Sequence, residues 1–267
     1  MTEPTIIAFA NSTAPLIIQA SSTTNWPQFI LNLIAILITS LGLFITVIIP
    51  KGGFKTRIAE RRLKKLTGRP THIIRHNING LFHTEMIDQK TTNDLAAFLK
   101  KYEEEEVNII LHTPGGTIFH SMACSDLIIN HGKVHVYVPL MAMSGGTLLS
   151  MSAYNLHLGM SAALGPIDPQ LGFIWIQGSA DDWKTVIRTK GKSASDSAHI
   201  MHNEGKKYTT MMAQHLSSLG LSKETVKELT AGKAPHSKRY KYIDVKLFRG
   251  VELMGEKEEK ICLAATT

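Results

Sequence analysis

The sequence predicts an α/β domain with a largely parallel sheet, preceded by a single N-terminal transmembrane helix. Three observations support this prediction. Short apolar runs alternate with helical patterns after Pro70, turns rich in glycine follow three of those runs, and a long uncharged run precedes the whole region. Strands that are apolar throughout are typical of parallel sheets covered by helices on both faces. We therefore expect the functional domain to occupy residues 71–267.

The uncharged run defines the predicted transmembrane helix, residues 28–50. From Phe29 to Ile49 the chain is apolar except for five polar or small residues. As a helix this stretch would extend for about 30 Å, which matches the hydrocarbon core of a bilayer. The sequence therefore predicts that residues 28–50 contact the lipid bilayer. Residues 1–27 would form a tail on the side of the membrane opposite the domain.

The positive charge of the chain is concentrated beside this run. The formal net charge is +7, and residues 51–70 contain eight Lys or Arg against the single acidic Glu60. Such a distribution indicates a juxtamembrane segment, not a nucleic-acid-binding surface. By the positive-inside rule the N-terminus lies outside and the domain lies in the cytoplasm. Residues 51–67 could form an amphipathic helix on the membrane surface or a solvated basic linker.

The elements of the domain follow from the periodicity of its apolar residues. The predicted strands are Thr71–Ile78, Val107–Thr113, Val134–Pro139 and Leu156–Met160. The predicted helices are Thr92–Tyr102, Thr117–His131, Thr147–Ala153, Ser193–Leu219 and Leu221–Thr230. The two cysteines, Cys124 and Cys262, have no spacing typical of a disulfide framework, which suits a reducing compartment.

Three turns follow predicted strands: Pro114-Gly-Gly116, Ser144-Gly-Gly146 and Gly165-Pro166. Parallel sheets bind ligands at the carboxyl ends of their strands, so these turns mark the expected site. In the second turn a serine precedes two glycines at the start of a helix. Free amides there would suit an oxygen that becomes negative during acyl transfer, although a serine in this position is also an ordinary helix N-cap.

Three segments in this order carry a family resemblance. They are His112-Thr-Pro-Gly-Gly116, Met141-Ala-Met-Ser-Gly-Gly-Thr147 and Leu164-Gly-Pro-Ile-Asp-Pro-Gln-Leu-Gly172. Together they resemble the membrane-bound Clp-class serine peptidases, and among these the serine dehydrogenase proteinase group, relatives of signal peptide peptidase A and of the Clp proteolytic subunit. The resemblance extends from about His72 to Leu253. It implies a Clp/crotonase-like spiral of ββα units.

The same resemblance implies a membrane-anchored serine endopeptidase that forms homo-oligomers and acts on a peptide or membrane-protein substrate. The histidines have no close paired spacing on one predicted face and the sequence has no GxxxxGK(S/T) motif, so we expect no metal site and no cofactor. The resemblance makes Ser144 the nucleophile. It assigns the oxyanion hole to the Gly115 and Gly145 amides, with Gly116 in the same turn.

The resemblance leaves the general base open. Asp168 stands about where Clp subunits have their histidine, and the leading hypothesis is a triad of Ser144, His236 and Asp168. The alternative is a lysine, as in signal peptide peptidase A, whose pKa burial would have to lower. The candidate lysines are Lys184, Lys190, Lys192 and Lys207.

Two other functions are compatible with the sequence. Because the Clp-type histidine is missing, the chain could be a catalytically inactive scaffold that binds membrane-protein segments. Because crotonases share a two-amide oxyanion hole, it could instead act on an acyl thioester. The serine at the helix start favours the peptidase over the thioester function.

Overall fold

The structure is a computed structural model that describes residues 30–36, 53–75, 86–173, 176–230 and 238–266. The chain divides into two compact units, Met1–Pro50 and Lys51–Thr267. In the first unit residues 30–36 are helical (α1) with exposed apolar side chains. Within the described ranges, no helix is both long and apolar enough to cross a membrane. The remainder of the predicted span, residues 28–50, lies outside the described residues.

The second unit alternates strands and helices. Its helices are α2 (Gly53–Thr67), α3 (Gln89–Lys101), α4 (Ile118–His131), α5 (Gly145–Met151), α6 (Ala180–Lys190), α7 (Asp196–Ser218), α8 (Lys223–Thr230), α9 (Tyr242–Phe248) and α10 (Glu256–Thr266). Its strands are β1 (Thr71–Arg75), β2 (Val107–His112), β3 (Val134–Val138), β4 (Met141–Ala142), β5 (Asn155–Leu158), β6 (Ala163–Leu164), β7 (Leu171–Phe173), β8 (Ile176–Gly178) and β9 (Glu252–Leu253).

The main sheet confirms the predicted α/β class. Its strand order is β1-β2-β3-β5-β9, and every neighbouring pair is parallel. Because side chains alternate between the faces of a strand, Ile109 and Val136 belong to one apolar cluster, whereas Ile110 and Tyr137 belong to another. Helices α3, α4 and α5 contribute to the first cluster, and α2 and α10 contribute to the second. Both faces of the sheet are therefore covered.

A second, smaller sheet positions the expected site. After β3 and β5 the chain continues as the short strands β4 and β6, which pair in parallel. A further parallel bridge joins Thr113, just after β2, to Ala142 in β4. The ends of three consecutive strands of the main sheet thus lead into one adjoining layer. Ser144 follows two residues after Ala142, at the edge of this layer.

The basic segment is helical, and one side of it packs against the domain. Residues 53–67 form helix α2, which packs against α10 at the far end of the chain. Ala59 and Leu63 are 2% and 0% exposed and join Cys262 and Ala265 in the second apolar cluster. A spacing of four residues places both on one side of a helix. Ala59 and Leu63 of α2 are therefore buried in the domain, and the helix is part of its fold.

Helix α3 and the region after Phe173 differ from prediction. Helix α3 starts earlier than expected, because Asp88 caps it by accepting a hydrogen bond from the Thr91 amide at 2.9 Å. Sequence analysis assigned no element to residues 180–190, which form α6. The signal was present in the capping box of Ser179 and Asp182, a motif that starts helices. The polar composition of this helix obscured it.

Candidate active site

Ser144 has an unusual backbone conformation. Its φ of +50° is the only positive value found for a non-glycine residue in the described part of the chain. Its hydroxyl makes no capping hydrogen bond to α5, although the residue occupies the N-cap position. Positive φ is unfavourable for a residue with a Cβ and persists only where the surrounding structure enforces it. The N-cap explanation of this serine therefore does not apply, and the half-buried side chain is held at a strained strand-to-helix turn.

Backbone hydrogen bonds from a neighbouring strand end hold this turn. The Thr113 amide donates to the Met141 carbonyl at 3.1 Å, and the Met143 amide donates to the Thr113 carbonyl at 2.9 Å. The Gly146 amide closes the turn by donating to Met143 at 2.8 Å. These bonds fix the residues on both sides of Ser144.

Thr147 links the same turn to the third glycine-bearing loop. Its buried hydroxyl oxygen lies 2.8 Å from the carbonyl oxygens of both Ala142 and Gly165, and it accepts a hydrogen bond from the Gly165 amide at 3.0 Å. Sequence analysis treated Thr147 only as a helix start. Its position directly after Ser144-Gly-Gly146 was the available signal for a structural role.

The Pro114-Gly-Gly116 turn packs directly against Ser144. Gly115 has a φ of +118°, and a Cβ on it would lie 2.8 Å from the Ser144 Cβ. Gly116 pairs with Ile87, whose carbonyl oxygen would lie 2.2 Å from a Cβ on Gly116. Real Cβ atoms do not approach other atoms so closely, so both positions require glycine. Two of the turns identified from the sequence are thus in contact.

The amides of these turns differ in their hydrogen bonding. The Gly115 amide donates to the Thr113 hydroxyl at 3.1 Å, so it already has an acceptor. Among the hydrogen bonds of the described ranges, none has the Gly116 or Gly145 amide as donor. The Gly116 nitrogen lies 3.5 Å from the position that a Cβ on Gly145 would occupy. Of the three glycines that the resemblance assigns to the oxyanion hole, Gly116 and Gly145 therefore have amides with no acceptor within the described ranges.

The family of this chain is shown by its match to a known protein family. A family model described as "ClpP-like SDH-type serine proteinase" matches residues 32–245, which is most of the chain. The chain belongs to this family. The match includes every turn described above, and it confirms the family resemblance inferred from the sequence.

Similar proteins have been found both by sequence and by structure. Two uncharacterized proteins of Methanocaldococcus jannaschii are similar: MJ1495 is 31% identical over 142 residues, and MJ0137 is 30% identical over 179 residues. The matches cover 50% and 62% of this chain but only 47% and 61% of those relatives. The chain thus spans about half to three fifths of their length.

Among solved structures, an alanine mutant of the 1510-N membrane-bound stomatin-specific protease is 13% identical, with a TM-score of 0.48, 69% of this chain covered and 78% of that one. ClpP1 from Listeria monocytogenes is 15% identical, with a TM-score of 0.47, 73% of this chain covered and 96% of that one.

In this member of the family, Asp168 is buried with 4% exposure. The Gln170 side-chain amide donates to its Oδ2 at 3.0 Å. Asp168 also lines a cavity of about 180 Å³ together with Thr230 and Lys206. The adjacent Ile167 amide donates to the Leu229 carbonyl at 2.7 Å. The loop that contains Asp168 is thus attached to the end of α8.

His236 lies outside the described residues, but both ends of its segment are described. Thr230, which precedes the segment, lines the same cavity as Asp168. Tyr240, which follows it, pairs with Leu164 in β6 through backbone hydrogen bonds of 2.9 and 2.7 Å. Among the described residues on either side of this segment, Thr230 thus lies at the Asp168 cavity and Tyr240 lies beside β6.

The candidate lysines of the family resemblance are all exposed. Lys184, Lys190 and Lys192 lie on α6 and the turn after it. Lys207 on α7 forms an ion pair with Glu204 at 2.5 Å, and this pair raises the pKa of the Lys207 ammonium above its ordinary value. A lysine that acts as a general base needs burial, which lowers its pKa. None of these four lysines has such surroundings in this structure.

Sequence reasoning also missed Ser121. This residue of α4 is 2% exposed, and its hydroxyl is a buried side-chain oxygen with no hydrogen-bond partner in the described part of the chain. A Cβ on Gly145 would lie 2.1 Å from this oxygen. Ser121 therefore fills the space behind the Gly145 backbone. Only contacts between two helices distant in sequence show this role.

The close approach of Ser121 predicts the effect of a Gly145→Ala substitution. The added methyl group would overlap the Ser121 hydroxyl, so we expect a loss of about 1–3 kcal/mol of stability, seen as a melting temperature lower by several degrees. Gly250→Ala is the matched control, because a Cβ there meets nothing within 4 Å. The double variant Gly145→Ala, Ser121→Gly should recover most of the loss. Equal melting temperatures for the Gly145 and Gly250 variants would contradict this packing.

Proposed function

We propose that this protein is a membrane-anchored serine endopeptidase that hydrolyses peptide bonds through an acyl-enzyme on Ser144. The observation that carries the proposal is the strained Ser144 turn. It places an uncommitted hydroxyl against the Pro114-Gly-Gly116 turn, beside the Gly116 and Gly145 amides. A nucleophile next to two amide donors is the arrangement that acyl transfer requires.

The chemistry follows the two steps of serine hydrolases. A base removes the proton from Ser144 Oγ as this oxygen bonds to the peptide carbonyl carbon. The carbonyl oxygen becomes negative and accepts hydrogen bonds from the Gly116 and Gly145 amides. The C–N bond then breaks, the amine leaves with the proton held by the base, and an ester remains on Ser144. Water, deprotonated by the same base, attacks the ester and releases the acid and the free serine.

For the base we propose His236, oriented by Asp168. The support is the position of the described residues on either side of it. Thr230 lines the Asp168 cavity, and Tyr240 pairs with Leu164 of β6, which in turn pairs with the strand preceding Ser144. Exposure of the candidate lysines gives the lysine alternative less support. A histidine near its ordinary pKa of about 6.5 is well matched to proton transfer at neutral pH.

A fluorophosphonate probe tests the proposed nucleophile, because it phosphonylates only activated serines. We expect labelling of the intact protein, and peptide mass mapping should find the adduct on Ser144. The exposed Ser161 serves as an internal control that should remain unmodified. A folded protein that takes up no probe would instead favour the inactive scaffold, and an adduct on another serine would contradict the assignment.

Membrane anchoring is part of the proposal. Residues 28–50 would span the bilayer once, with the N-terminus outside, the peptidase domain in the cytoplasm, and copies of the chain assembled into a homo-oligomer. The support is the apolar run followed at once by basic residues. In right-side-out vesicles, a C-terminal tag should be digested by added protease only after the membrane is opened. Digestion in intact vesicles would refute this orientation without affecting the assignment of Ser144.

A further inference from the structure

Helix α2 presents a strongly basic surface. The basic residues on its exposed side are Lys55, Arg57, Arg61, Arg62, Lys64 and Lys65. Arg57, Arg61, Lys64 and Lys65 occupy the half of the helix opposite the buried Ala59 and Leu63. Lys55 and Arg62 lie along one border of the buried side, four residues before and three residues after Ala59. The one acidic residue of α2, Glu60, is only half exposed. Because α2 is packed into the domain, this charge is held on a fixed surface.

A groove runs between α2 and α10 along this basic surface. It has a volume of about 270 Å³ and is lined by Lys55, Ile58, Ala59, Arg62, Ile261 and Ala264. Its floor is apolar, and the side chains of Lys55 and Arg62, both from α2, lie on one side of it. They are seven residues apart, or about 10 Å along the helix, so the ends of both long side chains can reach one phosphate between them.

The acidic residues at the start of α10 do not line the groove. Glu258 accepts a hydrogen bond from the Gly255 amide at 2.9 Å, and Glu259 accepts one from the Met160 amide at 2.8 Å. The first bond lies at the start of α10, and the second joins α10 to the loop after β5. The groove therefore combines an apolar floor with positive charge, which matches the junction between the headgroup and acyl chains of an anionic lipid.

We propose that this groove binds an anionic phospholipid, with its phosphate at Lys55 and Arg62 and its first acyl methylenes over Ile58 and Ile261. The inference rests on the proposed membrane anchoring, since only four residues separate Pro50 from Lys55. That length of chain reaches at most about 18 Å, so an anchored domain would hold α2 close to the headgroups. The lipid would then fix the orientation of the peptidase domain at the membrane.

The test is a lipid titration of the full chain in detergent micelles, read by native mass spectrometry. We expect phosphatidylglycerol to be retained in preference to phosphatidylcholine. The double variant Lys55→Gln, Arg62→Gln should bind phosphatidylglycerol about tenfold or more weakly. The matched control is Lys64→Gln, Lys65→Gln, which removes the same charge from the same helix but not from the groove; it should retain the lipid.

Each other outcome overturns the proposal. Equal loss in both double variants would show diffuse attraction without a groove site, and no preference for phosphatidylglycerol would exclude an anionic lipid. Displacement of the lipid by an equal concentration of glycerol phosphate would show that the site takes a soluble phosphate ester. Micelles make the result independent of whether residues 28–50 span a bilayer, and fluorophosphonate labelling of each variant reports on Ser144 separately.

Discussion

Replacing Ser144 with alanine is expected to lower the rate of peptide hydrolysis by about a thousandfold to a millionfold, because it removes the atom that forms the acyl-enzyme. The fold should be unaffected, since the Ser144 hydroxyl makes no capping bond to α5. Removing the hydroxyl should leave the melting temperature within a few degrees of the wild type. The rate is measured by release of a fluorophore from an internally quenched peptide.

Ser161→Ala is the control for this experiment. Ser161 is exposed on a loop, and its described hydrogen bond uses its backbone carbonyl and not its hydroxyl. This variant should cleave the peptide at the wild-type rate. Full activity of the Ser144 variant would exclude a serine mechanism at this site. It would also remove the main support for the proposed function.

Replacing the proposed base has the second largest expected effect. His236→Ala should lower the catalytic rate by about a hundredfold to ten-thousandfold, since the serine then loses its general base. Asp168→Asn should also reduce the rate strongly, because it leaves the histidine without its charged partner. The wild-type rate should fall as the pH drops through about 6.5, the ordinary pKa of histidine, because protonation removes the base.

Lys207→Gln is the control that separates the two hypotheses for the base. It removes an exposed ammonium that already pairs with Glu204, and it should leave the rate unchanged. The opposite pattern, with loss of activity in the Lys207 variant and none in the His236 variant, would favour a serine–lysine dyad. The pH profile would then shift to higher pH, since a lysine base must lose its proton.

The sequence predicted the central part of the fold because the relevant signals are local. Four apolar runs predicted β1, β2, β3 and β5, and the structure places all four in one parallel sheet. Glycines that follow strands predicted turns at the sheet edge. The sequence predicted polar, helical structure after Gly178 but gave α6 no bounds, because none of its side chains is buried in the described fold to give an apolar signal.

In the candidate site, too, some features follow from local sequence signals and others depend on tertiary packing. Ser144 and the Pro114-Gly-Gly116 turn were identifiable from residue types alone, since few turns need so many small residues. Their mutual contact depends on the packing of two strand ends about 30 residues apart, and so does the orientation of their amides. The Gly115 amide already donates a hydrogen bond to the Thr113 hydroxyl, so the amides that we propose as oxyanion donors are those of Gly116 and Gly145. No local pattern encodes that choice.

By itself, the sequence determined the α/β class, the family and the serine that stands at the strand-to-helix turn. Each of these depends on hydrophobic periodicity or on short runs of glycine, which a single segment contains. Only the tertiary structure decided that Ser144 is strained and not a helix cap, and that α2 belongs to the domain. About 190 residues of the chain separate helix α2 from helix α10. Their contact buries Leu63 beside Cys262, and burial of apolar surface between distant segments is what local sequence patterns do not specify.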